Sequence, residues 1–174
     1  SGALCMTEDE LNNLLISDSC AIVSKSCSKY HREGNPSPRW YSDIGTGISI
    51  NSMGLPNLGW EFYFNYFNNC IENKPKIMSI AGTSMQEALN IFKLILQQYE
   101  FPNSIYLENF EFPKNLLFEF NMSCPNIIGK PQIGYDYDTM HKYLVSITEI
   151  IKNFEANSVF KNCIKFGIKL PPYF

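Results

Sequence analysis

The alternation of apolar and polar positions changes period along the chain, and each change marks an element. Thr7-Glu8-Asp9-Glu10 places a Glu three residues after a Thr, the pattern of a capping box, and Leu11, Leu14 and Leu15 continue as a helical stripe. Residues 20–26 form a short apolar run with β-branched members, which predicts a buried strand ending in polar groups. Residues 27–57 are dense in Gly, Pro, Ser and Asn and predict a long irregular loop, a length that usually accompanies function. The aromatic-rich stretch 60–72 predicts a helix. Residues 76–82 predict a second strand, Ser84-Met85-Gln86-Glu87 a second capping box, and Ala88, Ile91, Phe92, Ile95 and Leu96 the helix it opens. Segment 98–114 lacks periodicity and reads as an inserted loop. A third strand over 116–121 follows. Met140, Leu144, Ile147, Ile151 and Phe154 then mark an amphipathic helix, and 163–170 a fourth strand.

Strands alternating with helices of this length predict parallel βα units, hence an α/β fold. A doubly wound sheet and a (β/α) barrel both fit, and the absence of G-x-G-x-x-G after the first strand weakens the dinucleotide-binding version. Each strand ends in polar or small groups: Lys25-Ser26, Ser79 to Gly82, Asn121 to Cys124, and Lys169. In a barrel such ends converge on the face where the active site is built.

Composition narrows the function classes. The 174 residues suit one domain. With 45% hydrophobic and 18% charged residues the chain buries a real core and is not a disordered tail. A net charge of −3 without a basic stripe argues against nucleic acid as the main partner. No apolar run approaches the roughly 18 residues of a membrane span. Six Cys without a C-x-x-C pair, and only two His, argue against a metal site. No signal peptide is visible, so the expectation is reduced thiols in a cytoplasmic protein, four or five of them small core hydrophobes. The opening at Ser1-Gly2 without Met and the stop at Tyr173-Phe174 just past a strand read as a piece of a longer protein.

Three clusters carry candidate chemistry. Asn121-Met122-Ser123-Cys124-Pro125-Asn126 runs from a strand end into a loop; its two Asn amides suit a planar ligand with alternating amide groups, and Cys124 lies between them. Taken alone, Cys124 is a buried thiol in a turn. Ile50-Asn51-Ser52-Met53-Gly54-Leu55-Pro56-Asn57 adds another amide, and Gly54 lets backbone approach a ligand closely; taken alone it is a surface turn. Residues 32–39 (Arg-Glu-Gly-Asn-Pro-Ser-Pro-Arg) read alone as a charged loop.

Together with Val-Ser-Lys-Ser, Gly-Lys-Pro-Gln and Gly-x-Lys-Leu-Pro-Pro-Tyr-Phe, these motifs come in the order that resembles the class 1A dihydroorotate dehydrogenases. The resemblance covers nearly the whole chain outside 98–114. It implies a (β/α)8 TIM barrel, of which the chain covers about strands 1–5, as one partial FMN-binding domain over 1–174. It implies a cytoplasmic homodimer that oxidises dihydroorotate to orotate in pyrimidine biosynthesis, with fumarate reduced to succinate. On the family's pattern Cys124 is the general base; class 2 relatives use Ser there. Lys25 contacts both flavin and substrate. Asn51, Met53, Gly54 and Leu55 hold the orotate ring with Asn121 and Asn126. Ser1, Gly2, Ser26, Asn121 and Lys169 line the flavin, and 125–135 is a lid. The barrel's phosphate-holding loops fall beyond these strands, so the 174 residues alone are expected to be inactive. Two readings compete. The pyrimidine-binding domain of a dihydropyrimidine dehydrogenase shares the barrel and a catalytic Cys, but that family has His where this chain has Asn126. A non-catalytic barrel remnant that only binds a ligand is the other.

Overall fold

A computed structural model describes residues 5–70, 74–100, 116–124 and 132–172. The order of elements is α1 (Glu8–Ile16), β1 (Ile22–Val23), β2 (Trp40–Asp43), β3 (Ile48–Asn51), α2 (Trp60–Asn69), β4 (Lys76–Ile80), α3 (Met85–Glu100), β5 (Leu116–Asn121), α4 (Tyr137–Asn157) and β6 (Ile164–Lys169). Strands β1-β4-β5-β6 form one four-stranded sheet in that order. Every pairing in it is parallel, with Ile22 opposite Lys76, Ile77 opposite Leu117 and Leu116 opposite Ile164. Helices separate the sheet strands in sequence, as parallel pairing requires.

The first helix is opened as its sequence predicts. The Glu10 amide donates to Thr7 Oγ1, and Glu10 Oε2 accepts from the Thr7 and Met6 amides. At α3 only half of the expected box forms. The Glu87 amide donates to Ser84 Oγ at 3.1 Å, but the Glu87 carboxylate turns to the Thr83 amide and hydroxyl and to the Lys29 amide. The helix start is thereby tied to the segment that follows β1. α4 opens on Asp136, which accepts from the Thr139 amide and hydroxyl; the hydroxyl, then the amide, lowers the pKa of Asp136.

The core lies between the sheet and α3 and α4. On β5 Leu116, Phe118 and Phe120 are buried while Leu117, Glu119 and Asn121 are half-buried, the period-2 signature of a strand with two different faces. Phe92 of α3 meets Phe118 and Phe120 edge-on at 4.9 and 5.2 Å, and Phe120 meets Tyr143 of α4 at 5.8 Å. Ala88, Ile91, Phe92, Ile95 and Leu96, the stripe read from sequence, are all buried. Each large side chain among them contributes about 1.5–3 kcal/mol of burial.

Three of the expectations above change. The loop 27–57 contains the antiparallel hairpin β2–β3, with Trp40 opposite Asn51 and Asp43 opposite Ile48. Residues 98–100 are the last turn of α3 rather than the start of an insertion, and 101–114 lie outside the described residues. Three cysteines, Cys5, Cys27 and Cys163, are buried, not four or five. Burial pushes the Cys27 and Cys163 thiols up, which keeps them protonated. Within 125–135, Ile133–Tyr135 is a 3-10 turn fastened in place. The Gly134 amide donates to Met122 O, Tyr135 Oη donates to Pro172 O, and a Cβ on Gly134 would lie 2.3 Å from Pro171 Cδ. Residues 125–131 of the expected lid lie outside the described residues.

Candidate active site

The C-terminal ends of the parallel strands carry a set of polar side chains on the face away from the helices. β1 continues into Lys25 and Ser26. The Cys27 amide donates to Ser79 O and so fastens this extension to β4. Ser24, Ser26 and Ser79 are buried polar groups, and each has a partner. Ser24 Oγ accepts from the Ser79 amide at 2.9 Å. Ser26 Oγ lies 2.9 Å from Ser79 Oγ, and Ser79 Oγ donates to Glu119 Oε1 at 2.7 Å. Asn121 Nδ2 donates to Ser26 Oγ at 3.0 Å. Asn121 Oδ1 accepts from the Ser123 amide and hydroxyl at 3.1 and 2.7 Å.

This places several sequence-predicted residues together. Ser26 and Asn121 touch directly, Lys25 is next to Ser26, and Lys169 is the register partner of Asn121 on β6. The backbone holds that last pair, since the Met122 amide donates to Lys169 O. Cys124 is half-buried and sits just past the turn that Asn121 and Ser123 close. The result is one edge where a hydroxyl and a carboxamide touch, with Lys25 and Cys124 close by along the chain and Lys169 in register across the sheet.

The second predicted group is a separate unit built around Gly54. Residues 32–39 pack onto 52–57. The Asn35 amide donates to Met53 O, Asn35 Nδ2 donates to Ser52 O, and Arg32 Nη2 donates to Gly54 O. Gly54 has φ +75, and a Cβ there would lie 2.5 Å from the Asn35 amide nitrogen. Leu55 has φ 59, a strained value for a non-glycine residue. It is held there by Asn57, whose Nδ2 donates to Leu55 O at 2.9 Å. Asn57 is fully buried, and its Oδ1 accepts from the Ser28 and Gly59 amides. The Gly54 loop is thus anchored two residues past Ser26. Met53 is half-buried, Gly54 and Leu55 are buried, and Asn51 is exposed at the end of the hairpin. Ser1, Gly2 and Asn126 lie outside the described residues.

Sequence reading named Ser79 only among the polar groups that end the strands, and gave no role to Glu119 or Asn57. A signal for Glu119 was present: Leu117, Glu119 and Asn121 share one strand face, so Glu119 points to the side that Asn121 points to.

A family model described as dihydroorotate dehydrogenase matches residues 1–174. The chain belongs to the dihydroorotate dehydrogenase family. It is 38% identical over 176 residues to the dihydroorotate dehydrogenase (fumarate) of Trypanosoma brucei brucei, covering 100% of this chain and 48% of that protein. It is 39% identical over 178 residues to the protein of that name from Saccharomyces cerevisiae, covering 100% of this chain and 48% of the relative. The same identity and length hold for dihydroorotate dehydrogenase A (fumarate) of Lactococcus lactis subsp. cremoris, with 49% of that protein covered. The chain spans about half the length of the curated relatives it matches. Dihydroorotate dehydrogenases are TIM barrels, and β1-β4-β5-β6 is a stretch of that barrel's wall.

The residues at the strand ends fit a flavin of the kind the family uses. The pyrimidine edge of such a ring alternates carbonyls and an N–H. Asn121 offers an amide N–H and Ser26 an acceptor oxygen 3.0 Å from it, while Lys25 adjoins Ser26 in sequence and Lys169 is the register partner of Asn121.

Proposed function

We propose that the protein containing this chain oxidises (S)-dihydroorotate to orotate in pyrimidine biosynthesis, using FMN, with fumarate as the final acceptor. The observation that carries the reading is the direct Asn121–Ser26 contact at the strand ends, with Lys25 beside it and Cys124 just past the turn. The chemistry a bound FMN supplies is acceptance of a hydride. Lys25, Ser26, Asn121 and Lys169, with Ser1 and Gly2, hold that group. Lys25 would also face the substrate, because a cation favours an anionic ring. Asn51, Met53, Gly54 and Leu55, with Asn121 and Asn126, orient the dihydroorotate ring. Rigid backbone at Gly54 and Leu55 suits that task, since positioning removes orientational freedom before reaction.

Cys124 takes the proton from C5 as hydride leaves C6. The thiolate is the proton-accepting form of a cysteine. The enzyme we propose is cytoplasmic and homodimeric; no helix among the described residues is long and apolar enough to cross a membrane.

The test is single-turnover flavin bleaching by dihydroorotate in the full-length protein. Cys124→Ala leaves flavin content unchanged and slows bleaching by about 10²–10⁴, the range for loss of a positioned base. Bleaching within a few-fold of the parent removes Cys124 from the chemistry.

A further inference from the structure

The hydrogen bonds at the strand ends run in one direction, and the direction is fixed at both ends. Glu119 as a carboxylate only accepts, so the Ser79 hydroxyl must donate to it. Ser79 Oγ then meets Ser26 as an acceptor, so the Ser26 hydroxyl donates to Ser79. That leaves Ser26 Oγ to accept from Asn121 Nδ2. At the other end the Ser123 backbone N–H can only donate, so it holds Asn121 Oδ1 toward itself. Three strands are crossed, β4, β1's extension and β5, and no reversal is open while Glu119 stays an acceptor.

Among the described residues the second Asn121 N–H and the second lone pair of Ser26 Oγ have no partner, Asn121 being half-buried and Ser26 2% exposed. They form an adjacent donor and acceptor. We propose that Glu119 and Ser79 are positioning residues that lock this pair, so that the site accepts a planar ring only through an edge bearing a carbonyl beside an N–H. The proposal rests on the dihydroorotate dehydrogenase reading above and deepens it: it says why Ser26 meets its ligand as an acceptor and never as a donor. Without Glu119 as an obligatory acceptor, Ser79 can turn its proton toward Ser26. Ser26 then aims its own proton at the ligand, against the ligand's N–H.

The experiment uses the full-length protein and two readouts besides turnover. FMN retention is measured by dilution, and orotate affinity by the change it causes in the flavin absorbance. The variants are Ser79→Ala, Glu119→Gln and Ser79→Thr, each with its unfolding midpoint. Ser79→Ala is expected to weaken FMN or orotate binding about tenfold, the scale of one misdirected hydrogen bond. Glu119→Gln weakens it less, because Gln can still accept part of the time. Ser79→Thr, which keeps the hydroxyl, stays within a few-fold of the parent. Ser79→Ala, which strands the buried Ser26 hydroxyl, is expected to lower the midpoint modestly, and the other two to stay close to the parent.

Parent-like binding in both Ser79→Ala and Glu119→Gln overturns the proposal while leaving the enzyme reading intact. So does a loss of binding that tracks a lowered midpoint and is not rescued by Thr, since that is a packing role. If the parent itself holds no flavin and binds no orotate, the enzyme reading falls and this inference falls with it.

Discussion

The sheet and the hairpin are both β structure, and they are held in opposite ways. β5 lies between two parallel partners and buries Leu116, Phe118 and Phe120 against α3 and α4. In β2 and β3 every residue except Asp43 is exposed. Trp40, Tyr41, Ile48 and Ile50 stand out at 62–67% exposure, and Ile44 at the turn reaches 96%. The hairpin is held by its own ladder and by a polar turn: Asp43 accepts from the Gly45 amide and the Thr46 hydroxyl, and Gly47 takes φ +69. The sheet is a consequence of burial. The hairpin is a consequence of local hydrogen bonding, and its apolar side chains add nothing to the core.

The sharpest test of that contrast pairs one residue from each region. Phe120 is fully buried among Phe92, Tyr143 and Phe166. Phe120→Ala in the full-length protein is expected to cost about 3–5 kcal/mol in urea unfolding, the burial lost plus the cavity left. Ile48→Ala, at 65% exposure, is expected to stay within about 0.5 kcal/mol of the parent. A large loss at Ile48 would show that something covers the hairpin and would break the comparison.

Between these extremes sits the joint that connects the hairpin's base to the sheet. Asn57 is fully buried, accepts from the Ser28 and Gly59 amides and donates to Leu55 O. Asn57→Ala strands buried backbone donors, each costing about 1–3 kcal/mol, and releases Leu55 from its positive φ. The expected outcome is intermediate destabilisation together with weakened orotate binding at unchanged flavin content. Loss of flavin in step with orotate would mean that the two polar groups are one unit rather than two.

How much of this was legible follows the same division. The helices and the sheet strands are readable because burial writes a period into the sequence: Ala88, Ile91, Phe92 and Ile95 can only be one face of a helix. The hairpin writes no such period, since both of its faces meet solvent, and Gly45 and Gly47 are masked by the Gly and Pro around them. Its signal was the turn, Ile44-Gly45-Thr46-Gly47 between two runs rich in β formers. The site residues Lys25, Ser26, Asn121 and Cys124 were legible through family motifs. Ser79 and Glu119 were not, because a motif marks what touches a ligand, whereas their partners are across strands that are far apart in sequence. Glu87 was assigned to a capping box for the same reason: nothing local says that Lys29 lies within its reach.

That last contact gives the smallest and most specific test, because Glu87 ties the segment after β1 to the start of α3. Its carboxylate accepts from the Lys29 and Thr83 amides, both at 2.8 Å, and from the Thr83 hydroxyl. Burial alone would raise its pKa. The Thr83 hydroxyl, the Lys29 and Thr83 amides and the charge of Arg32 together outweigh that, and the net shift is downward. A carboxylate whose pKa is lower folded than unfolded binds fewer protons in the native state. Its contribution is therefore complete above the ordinary glutamate value of about 4.3 and is lost as pH falls through the depressed native one. Glu87→Gln keeps the size and one acceptor but does not titrate. The parent should thus be more stable than Glu87→Gln at neutral pH, by a small margin given the partial exposure of the site. The two unfolding curves should converge in acid, below the native pKa. A gap that persists unchanged into acid would mean that shape rather than charge ties the segment after β1 to the start of α3.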